Sequence, residues 1–502
     1  MMNAACFRYG VLLWMSCAWA SGVLIAADAK QDGDANGADS RVFRAGAFAM
    51  DITPVTLPIG SAGSMTPREV TRVHDPLHAR CLVLDDGNSQ IAFAICDSCM
   101  IPRWVMDAAK EKASEKTGIP ADRILISATH THTAVTATHV FQSPTETEYC
   151  EFLADKIADG IARSIELLQP AKIGWAVGNN PRQVFNRRWY MRPGSNVSDP
   201  FDQGTDRVRM NPPRDSKELL KPAGLVDPEV AILAVESTEG RPIAVLANYS
   251  LHYVGGVPAD SLSADYFGEF ARQLANRFAA EFESDSASKS GDNEPAFVGI
   301  MSNGTSGDIN NINFFEGMPQ QDTFEQIRLV GADLADTVHS TYQRIEFYDW
   351  VPLQMREAEL NLGVRRPSDD DVRRAKEVLA AAGDPPYRDR QAIYANETVD
   401  MAKYPESVSV KLQAMRIGDL GIVSSPCETF VETGLAIKQQ SALKPTFTIE
   451  LANGYNGYLP TPEQHALGGY ETWRAKSSYL AVDAEPQIRA TLLKLLGELV
   501  QE

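Results

Sequence analysis

The chain has 502 residues, of which 66 are acidic and 47 are basic, so its formal net charge at neutral pH is -19. No basic excess is available to displace the counterions of a polyanion, and this excludes a nucleic acid as the partner. Hydrophobic residues make up 44% and charged residues 23%, which excludes a disordered chain or a coiled coil and leaves a globular protein with a large core.

The first 29 residues predict a secretory signal peptide. Arg8 precedes an apolar run at 11–20, and small-residue cleavage sites follow at 18–20 and 27–29. The alternative is a single membrane anchor, but the apolar run is shorter than the roughly 20 residues that span a bilayer. We therefore expect an exported protein, periplasmic or secreted, without stable membrane insertion.

Residues 30–42 are polar and predict a flexible linker, so that one folded domain runs from 43 to 502. Short β-branched apolar runs predict strands: 81–84, 90–95, 124–127, 171–177, 230–235, 242–247, 297–301, 408–417, 420–424 and 446–451. Amphipathic patterns predict helices: 104–117, 148–168, 265–282, 324–344, 431–440 and 487–500. Strands that alternate with helices are typical of an α/β domain.

Two strand pairs are joined by short turns instead of helices. Glu239-Gly240 and Gly418-Asp419 predict hairpins, so the large sheet is expected to be mixed. Long loop insertions are expected at 179–228, 284–294 and 367–406, the last with a helix inside it. The predicted fold class is therefore α/β, a single large catalytic domain with a mixed sheet and flanking helices.

The cysteines do not form a disulfide framework. Two of the seven fall in the signal peptide, and the other five are scattered: Cys81, Cys96, Cys99, Cys150 and Cys427. Cys96 and Cys99 form a lone C-x-x-C, which without a second pair is weak support for a zinc or redox site. Small buried thiols are the preferred interpretation.

His130-Thr131-His132 follows the predicted strand 124–127. If the backbone stays extended, residues two apart point to the same face, so both imidazoles project together. The carboxyl end of a strand is where open α/β sheets place ligands. The pair is therefore a candidate metal site, and the alternative is two polar histidines at a strand end with no ligand.

His252 and Glu428 also come shortly after predicted strands. Each has an ordinary interpretation alone, a capped core histidine and a glutamate favoured by a helix dipole. With His130 they supply two nitrogens and a carboxylate, a set typical of catalytic zinc with an open position. The remaining histidines have no such context and are interpreted as structural: His74, His78, His139, His339 and His465.

A polar, glycine-containing segment at 302–311 follows the apolar run 297–301. Asp308 in this segment could orient a metal ligand or accept a proton. The other interpretation is a tight turn with Asx caps. A second polar and aromatic region runs from 451 to 471 and has little core character.

In order and spacing, these segments resemble the catalytic domain of the neutral/alkaline, non-lysosomal ceramidase family. The similarity starts at 45–53 and includes 128–133, Asn186-Arg187, 248–252, 302–311, 426–430 and 453–471. The resemblance implies a zinc-dependent hydrolase of sphingolipid metabolism that cleaves the amide bond of ceramide or a related N-acyl lipid with a zinc-activated water.

The resemblance also implies roles for single residues. One zinc ion per chain would be held by His130, His252, Glu428 and Tyr458, with Tyr458 preferred to Tyr455 because of its spacing from Tyr470. The catalytic set would be His132 and Tyr470 as oxyanion donors, Arg187 as a cation that contacts substrate, and Asp308 as proton acceptor or positioning residue. No ligands are assigned to a secondary Ca²⁺ or Mg²⁺ ion.

Two departures from the family pattern bear on mechanism. Family members that hydrolyse ceramide carry a serine-proline pair where this chain has Asn310-Asn311, so a serine nucleophile is not expected, although Asn310 can still bind substrate. The family's C-terminal immunoglobulin-like domain is expected to be absent, since the chain ends soon after the helix 487–500.

Three interpretations follow. The first is a zinc amidase acting on ceramide or another N-acyl lipid. The second is an exported zinc amidase or esterase of the same superfamily whose substrate is not ceramide. The third is a binding protein that keeps the site without turnover. The partner is in each case a small molecule or a lipid, and the oligomeric state is not predicted.

Overall fold

The structure is a computed structural model that describes residues 41–195, 197–284, 296–317 and 320–501. The predicted signal peptide, most of the predicted linker and most of the loop 284–294 lie outside these residues. From Arg41 onward the chain forms one compact unit. Within the described part, no helix has both the length and the apolar character needed to cross a membrane.

Eight strands form the first sheet. Their bounds are β1 Arg44–Asp51, β2 His78–Asp85, β3 Gln90–Cys96, β4 Ile124–Ala128, β5 Gln169–Asn179, β6 Glu229–Ser237, β7 Pro242–Tyr249 and β8 Val298–Asn303. The order across the sheet is β8-β7-β6-β5-β1-β2-β3-β4. The pairs β7–β8 and β3–β4 are parallel and the others antiparallel, so the sheet is mixed as predicted.

The second sheet has four strands in the order β9-β10-β11-β12, with bounds β9 Leu353–Gly363, β10 Ser407–Ile417, β11 Leu420–Ser424 and β12 Thr446–Ile449. The pair β11–β12 is parallel, and the other two pairs are antiparallel. Both predicted hairpins, β6–β7 and β10–β11, are confirmed.

Nine helices flank the sheets within the described residues. They are α1 Arg103–Thr117, α2 Thr147–Glu166, α3 Asp265–Ser284, α4 Glu325–Tyr342, α5 Asp369–Ala382, α6 Arg390–Met401, α7 Val431–Gln440, α8 Pro462–His465 and α9 Ala484–Gln501. The loop 367–406 contains two helices where one was predicted; the first begins at a capping box between Ser368 and Asp371.

Side-chain alternation along the strands gives the layers. On β2, Cys81 and Val83 pack against α1 and α2, while Leu82 and Leu84 face the second sheet. Likewise, β10 turns Met415 toward the first sheet and Leu412 toward α9. The two sheets therefore pack face to face, with helices on both outer faces.

The five described cysteines are buried and unpaired, as expected. Their thiols fill core positions on β2, β3 and α2 and in the loops after β3 and β11.

Short strands outside the two sheets bring the site together. Phe185–Asn186 pairs with Ile309–Asn310, and this places Arg187 beside the polar segment 302–311. Glu428–Thr429 pairs in parallel with Tyr458–Leu459, with Glu428 directly opposite Tyr458. The loop 179–228, which was predicted without strands, holds a small three-stranded sheet of Arg188–Met191, Val208–Met210 and Leu219–Pro222.

Candidate metal centre

Three predicted zinc ligands meet at one buried point. His130 Nε2 lies 3.0 Å from His252 Nε2 and 3.2 Å from Glu428 Oε2. His252 Nε2 is 3.8 Å from the same carboxylate oxygen. His132 Nε2 joins the group at 3.1 Å from His130 Nε2. The structure therefore brings together side chains that follow β4, β7 and β11.

The backbone at His130 differs from the expected extended strand. Strand β4 ends at Ala128, and His130 adopts a left-handed conformation with φ of 73°. Non-glycine residues adopt this conformation rarely and mostly where the surroundings enforce it. The strained turn, and not strand alternation, aims the His130 ring at His252, so the basis given for the His-x-His prediction was wrong although the two rings do converge.

Hydrogen bonds on the far side of each ring fix the proton positions. His130 Nδ1 donates to Cys99 O at 2.8 Å, His252 Nδ1 to Ser306 O at 3.3 Å, and His132 Nδ1 to Gly63 O at 3.2 Å. A carbonyl oxygen only accepts, so each neutral ring carries its proton on Nδ1 and presents the Nε2 lone pair.

This donor set fits zinc. Lone pairs that converge beside a carboxylate repel one another unless a cation lies between them. Glu428 Oε2 is buried, and apart from its 3.2 Å contact with His130 Nε2 it has no hydrogen-bond partner among the described residues. Imidazole nitrogens held by outer hydrogen bonds, together with a carboxylate oxygen, are the usual ligands of a catalytic zinc ion.

The electrostatics favour positive charge at the same point. Burial works to lower the pKa of His130, but the Glu428 carboxylate outweighs it and raises that pKa. Burial lowers the pKa of His132 and of His252, which keeps both rings neutral. Burial works to raise the pKa of Glu428, yet His130 holds it below its ordinary value. The carboxylate is therefore charged, His132 and His252 are neutral, and a cation beside Glu428, either a proton on His130 or a metal ion, is favoured.

Two tyrosines lie beside Glu428. Tyr455 donates its hydroxyl hydrogen to Glu428 Oε1 at 2.8 Å. Tyr458 is buried, opposite Glu428 in the short parallel pair, and its ring lies under the Arg187 guanidinium, whose carbon is 5.4 Å from the ring centroid. The contact of Tyr455 with Glu428 was not predicted.

Arg187 lies in a buried ion-pair network. Its Nε donates to Glu471 Oε1 at 2.9 Å, and Arg188 Nη1 donates to Glu471 Oε2 at 2.7 Å. Arg187 Nη2 also donates to Gly307 O at 2.7 Å. One carboxylate therefore fixes both guanidinium groups, and Arg187 is held in the cavity wall.

Asp308 is placed away from the cavity. Its Oδ1 accepts from the Val431 backbone N–H at 3.0 Å, and its Oδ2 accepts from Asn186 Nδ2 at 2.7 Å. It is not among the residues that line the cavity at the metal centre. Of the two roles foreseen for Asp308, the geometry favours the positioning role, since the carboxylate binds the first residue of α7 and the strand before Arg187.

A cavity of about 270 Å³ opens onto the candidate metal centre. All the predicted site residues except Asp308 line this cavity: His130, His132, Arg187, His252, Asn310, Glu428, Tyr458 and Tyr470. Asn311 lines it as well. Two hydrogen bonds hold the Asn310 side chain. Its Nδ2 donates to Asn211 Oδ1 at 2.8 Å, and its Oδ1 accepts from Ile312 N at 3.0 Å. Gly63 lies so close to the His132 ring that an added Cβ would be 2.5 Å from the His132 Cβ.

No protein-family model matches this chain. Among solved structures, it is similar to a neutral ceramidase from Pseudomonas aeruginosa, with a TM-score of 0.68 at 17% sequence identity over 92% of this chain and 75% of that one. It is also similar to a ceramidase complexed with C2, with a TM-score of 0.67 at 16% identity over 92% of this chain and 76% of that one. The chain has the ceramidase fold.

This likeness confirms the predicted α/β architecture with a mixed sheet. At 16–17% identity, the shared feature that these comparisons show is the fold. The match takes in most of the described chain.

Glu450 is a site residue that the sequence did not reveal. Its carboxylate lies beneath the centre, where Oε1 accepts from Ser306 Oγ at 2.6 Å and Oε2 accepts from Thr429 N at 2.7 Å. Ser306 accepts the His252 Nδ1 hydrogen, and Thr429 follows Glu428. Burial raises the pKa of Glu450 to about 8. Glu450 therefore joins the loops that carry two candidate ligands.

Replacing Glu450 tests this positioning role. We expect Glu450→Ala to weaken zinc binding roughly 10- to 100-fold, the usual effect of losing a group that orients a metal ligand. Glu450→Gln should keep most of the affinity, because the amide oxygen can accept from Thr429 N and the amide nitrogen can donate to Ser306 Oγ. Competition with a chelating dye measures both affinities. Equal affinities for the two variants would contradict the role.

Proposed function

We propose that the protein is a zinc-dependent hydrolase of the neutral ceramidase type that cleaves the amide bond of ceramide or a related N-acyl lipid. The observation that carries this proposal is the convergence of the imidazole Nε2 atoms of His130 and His252 and the Glu428 carboxylate on the wall of a cavity. The ceramidase fold supports the same reaction class. We further propose that the protein is exported, in line with its signal-peptide sequence.

His130, His252, Glu428 and Tyr458 would hold the zinc ion. A bound zinc ion would supply Lewis-acid polarisation of the amide carbonyl and would lower the pKa of a water molecule at the site. The hydrogen bonds from His130 and His252 to Cys99 O and Ser306 O keep both rings oriented toward the ion.

The other cavity residues act on the substrate. The Tyr470 hydroxyl would donate to the oxyanion that forms at the amide carbonyl, a contact worth roughly 3 kcal/mol in other hydrolases. His132 was expected to donate to the same oxyanion, but with Nδ1 donating to Gly63 O its neutral ring presents a lone pair at Nε2, so His132 would accept a hydrogen bond there instead. Arg187 places a fixed positive charge in the wall, where it would contact the substrate.

Metal analysis and turnover on one sample of purified protein test the proposal. We expect one zinc ion per chain and release of fatty acid from a fluorescent ceramide, lost on chelation and restored by added zinc. Zinc without ceramide turnover, but with hydrolysis of other amides or esters, would support the second candidate, an exported zinc amidase or esterase. The polar wall at Asn310 and Asn311 favours that alternative. Zinc without turnover of any substrate would support a binding protein.

A further inference from the structure

A second cavity lies beside the one at the metal centre. Its volume is about 360 Å³, and we call it the side cavity. Four residues line both cavities: Met65, Met210, Asn211 and Tyr470. The two cavities therefore adjoin at these four side chains.

Two arginines line the side cavity. Arg209 lies on the strand Val208–Met210, and Arg390 is the first residue of α6. Arg390 lies over the Trp473 ring, 5.4 Å from its centroid. Among the residues that the structure describes, neither guanidinium has a carboxylate partner. Both are therefore available to a ligand.

Asp206 is the one acidic residue among the described residues that line the side cavity, and its carboxylate already accepts a hydrogen bond. Trp473 Nε1 donates to Asp206 Oδ2 at 2.8 Å. Two arginines against one aspartate leave a net positive charge in the side cavity, in a protein whose net charge is -19. Guanidinium groups bind carboxylate, sulfonate and phosphate through paired N–H donors.

The main cavity indicates which end of a substrate points toward these arginines. Met100, Val140 and Phe141 belong to one apolar cluster in its wall and suit an acyl chain. Asn211 and Asn310, joined by a hydrogen bond, form a polar wall, and Asn211 continues into the side cavity. An acyl chain against Met100, Val140 and Phe141 would leave the amine part of an N-acyl amide on the polar side, nearer the arginines.

We propose that the side cavity binds an acidic group on the amine part of the substrate, so that the protein prefers N-acyl amino acids and similar anionic N-acyl amines to neutral ones. This inference rests on the proposed amide hydrolysis. Water adds across the amide: the C–N bond breaks, a C–O bond forms at the acyl carbon, and the amine nitrogen takes the proton. The products are a fatty acid and a free amino acid.

Matched conjugates test the preference. N-dodecanoylglycine carries a carboxylate, N-dodecanoyltaurine a sulfonate, and N-dodecanoylethanolamine neither. We expect a kcat/KM for the two anionic conjugates roughly tenfold above that for the neutral one, the effect of one charged hydrogen bond. Arg209→Ala and Arg390→Ala should each reduce this ratio through KM, and Arg209→Lys should restore part of it. Arg207→Ala, an exposed arginine outside both cavities, is the matched control.

Calorimetric binding of the glycine and ethanolamine conjugates separates this inference from the proposed reaction. Tighter binding of the glycine conjugate, lost in the Arg209→Ala, Arg390→Ala double variant, supports the acidic-group site even if no conjugate is hydrolysed. Equal binding and equal kcat/KM for the glycine and ethanolamine conjugates in the wild type would overturn it, whether or not ceramide is hydrolysed. Thermal melting confirms that each variant is folded.

Discussion

His252→Ala is expected to purify with far less than one zinc ion per chain and to lose amide hydrolysis by more than about 10³-fold. The expectation follows from geometry: His252 Nε2 lies within 3.0 Å of His130 Nε2 and within 3.8 Å of Glu428 Oε2. Loss of an outer partner of a zinc ligand already costs roughly 10- to 100-fold in affinity or activity, and loss of the ligand itself costs more. Elemental analysis and fatty-acid release on the same sample measure both effects.

His139→Ala is the matched control for this experiment. His139 is exposed, does not line the cavity and lies nine positions after His130 in the sequence. We expect it to keep both zinc and turnover. A His252→Ala protein with full zinc content and full activity would rule out the proposed centre. A His252→Ala protein with full zinc content but no activity would show that His252 is needed for hydrolysis and not for zinc binding.

Glu471→Ala is expected to lower the free energy of unfolding by about 3–5 kcal/mol. Glu471 is fully buried and pairs with Arg187 at 2.9 Å and with Arg188 at 2.7 Å, and both arginines are buried as well. Removing one partner of a buried ion pair leaves an uncompensated charge, and here two guanidinium groups would lose their carboxylate. Denaturant unfolding followed by circular dichroism gives the difference.

Glu463→Ala is the control for the stability measurement. Glu463 is exposed on the short helix α8, and its loss should change the free energy of unfolding by less than about 0.5 kcal/mol. If Glu471→Ala and Glu463→Ala unfolded at the same denaturant concentration, the buried network would not contribute to stability in the way its geometry indicates.

Most strands could be predicted from the sequence because runs such as 230–235 and 420–424 are apolar and β-branched, and a strand buried on both faces needs that composition. Strand β1 was missed because Arg44–Asp51 is rich in alanine and glycine, which have low strand propensity. Strand β9 was missed because Leu353–Gly363 carries three charged residues in its middle, Arg356, Glu357 and Glu359, which interrupt the apolar pattern. Both are held in place by long antiparallel pairing with a neighbour.

The candidate ligands could be found because His130, His252 and Glu428 each follow a strand. Glu450 could not, although it also follows a strand, because its importance lies in Ser306 and Thr429, which are distant in sequence. The left-handed turn at His130 was equally hidden, since nothing in the sequence around it requires a positive φ. Roles that depend on long-range contacts are visible only in the folded chain.

The segment after β12 lies between the two edge strands of the first sheet. Glu450 N donates to Asn303 O at the end of β8, and Asn453 N donates to Ile126 O on β4. Contacts between residues so far apart in sequence slow folding, because the entropy of closing long loops must be overcome before the contacts form. The candidate ligands can therefore assemble only after nearly the whole polypeptide is present, and we expect the candidate centre to form late in folding, with the C-terminal quarter of the chain setting its rate.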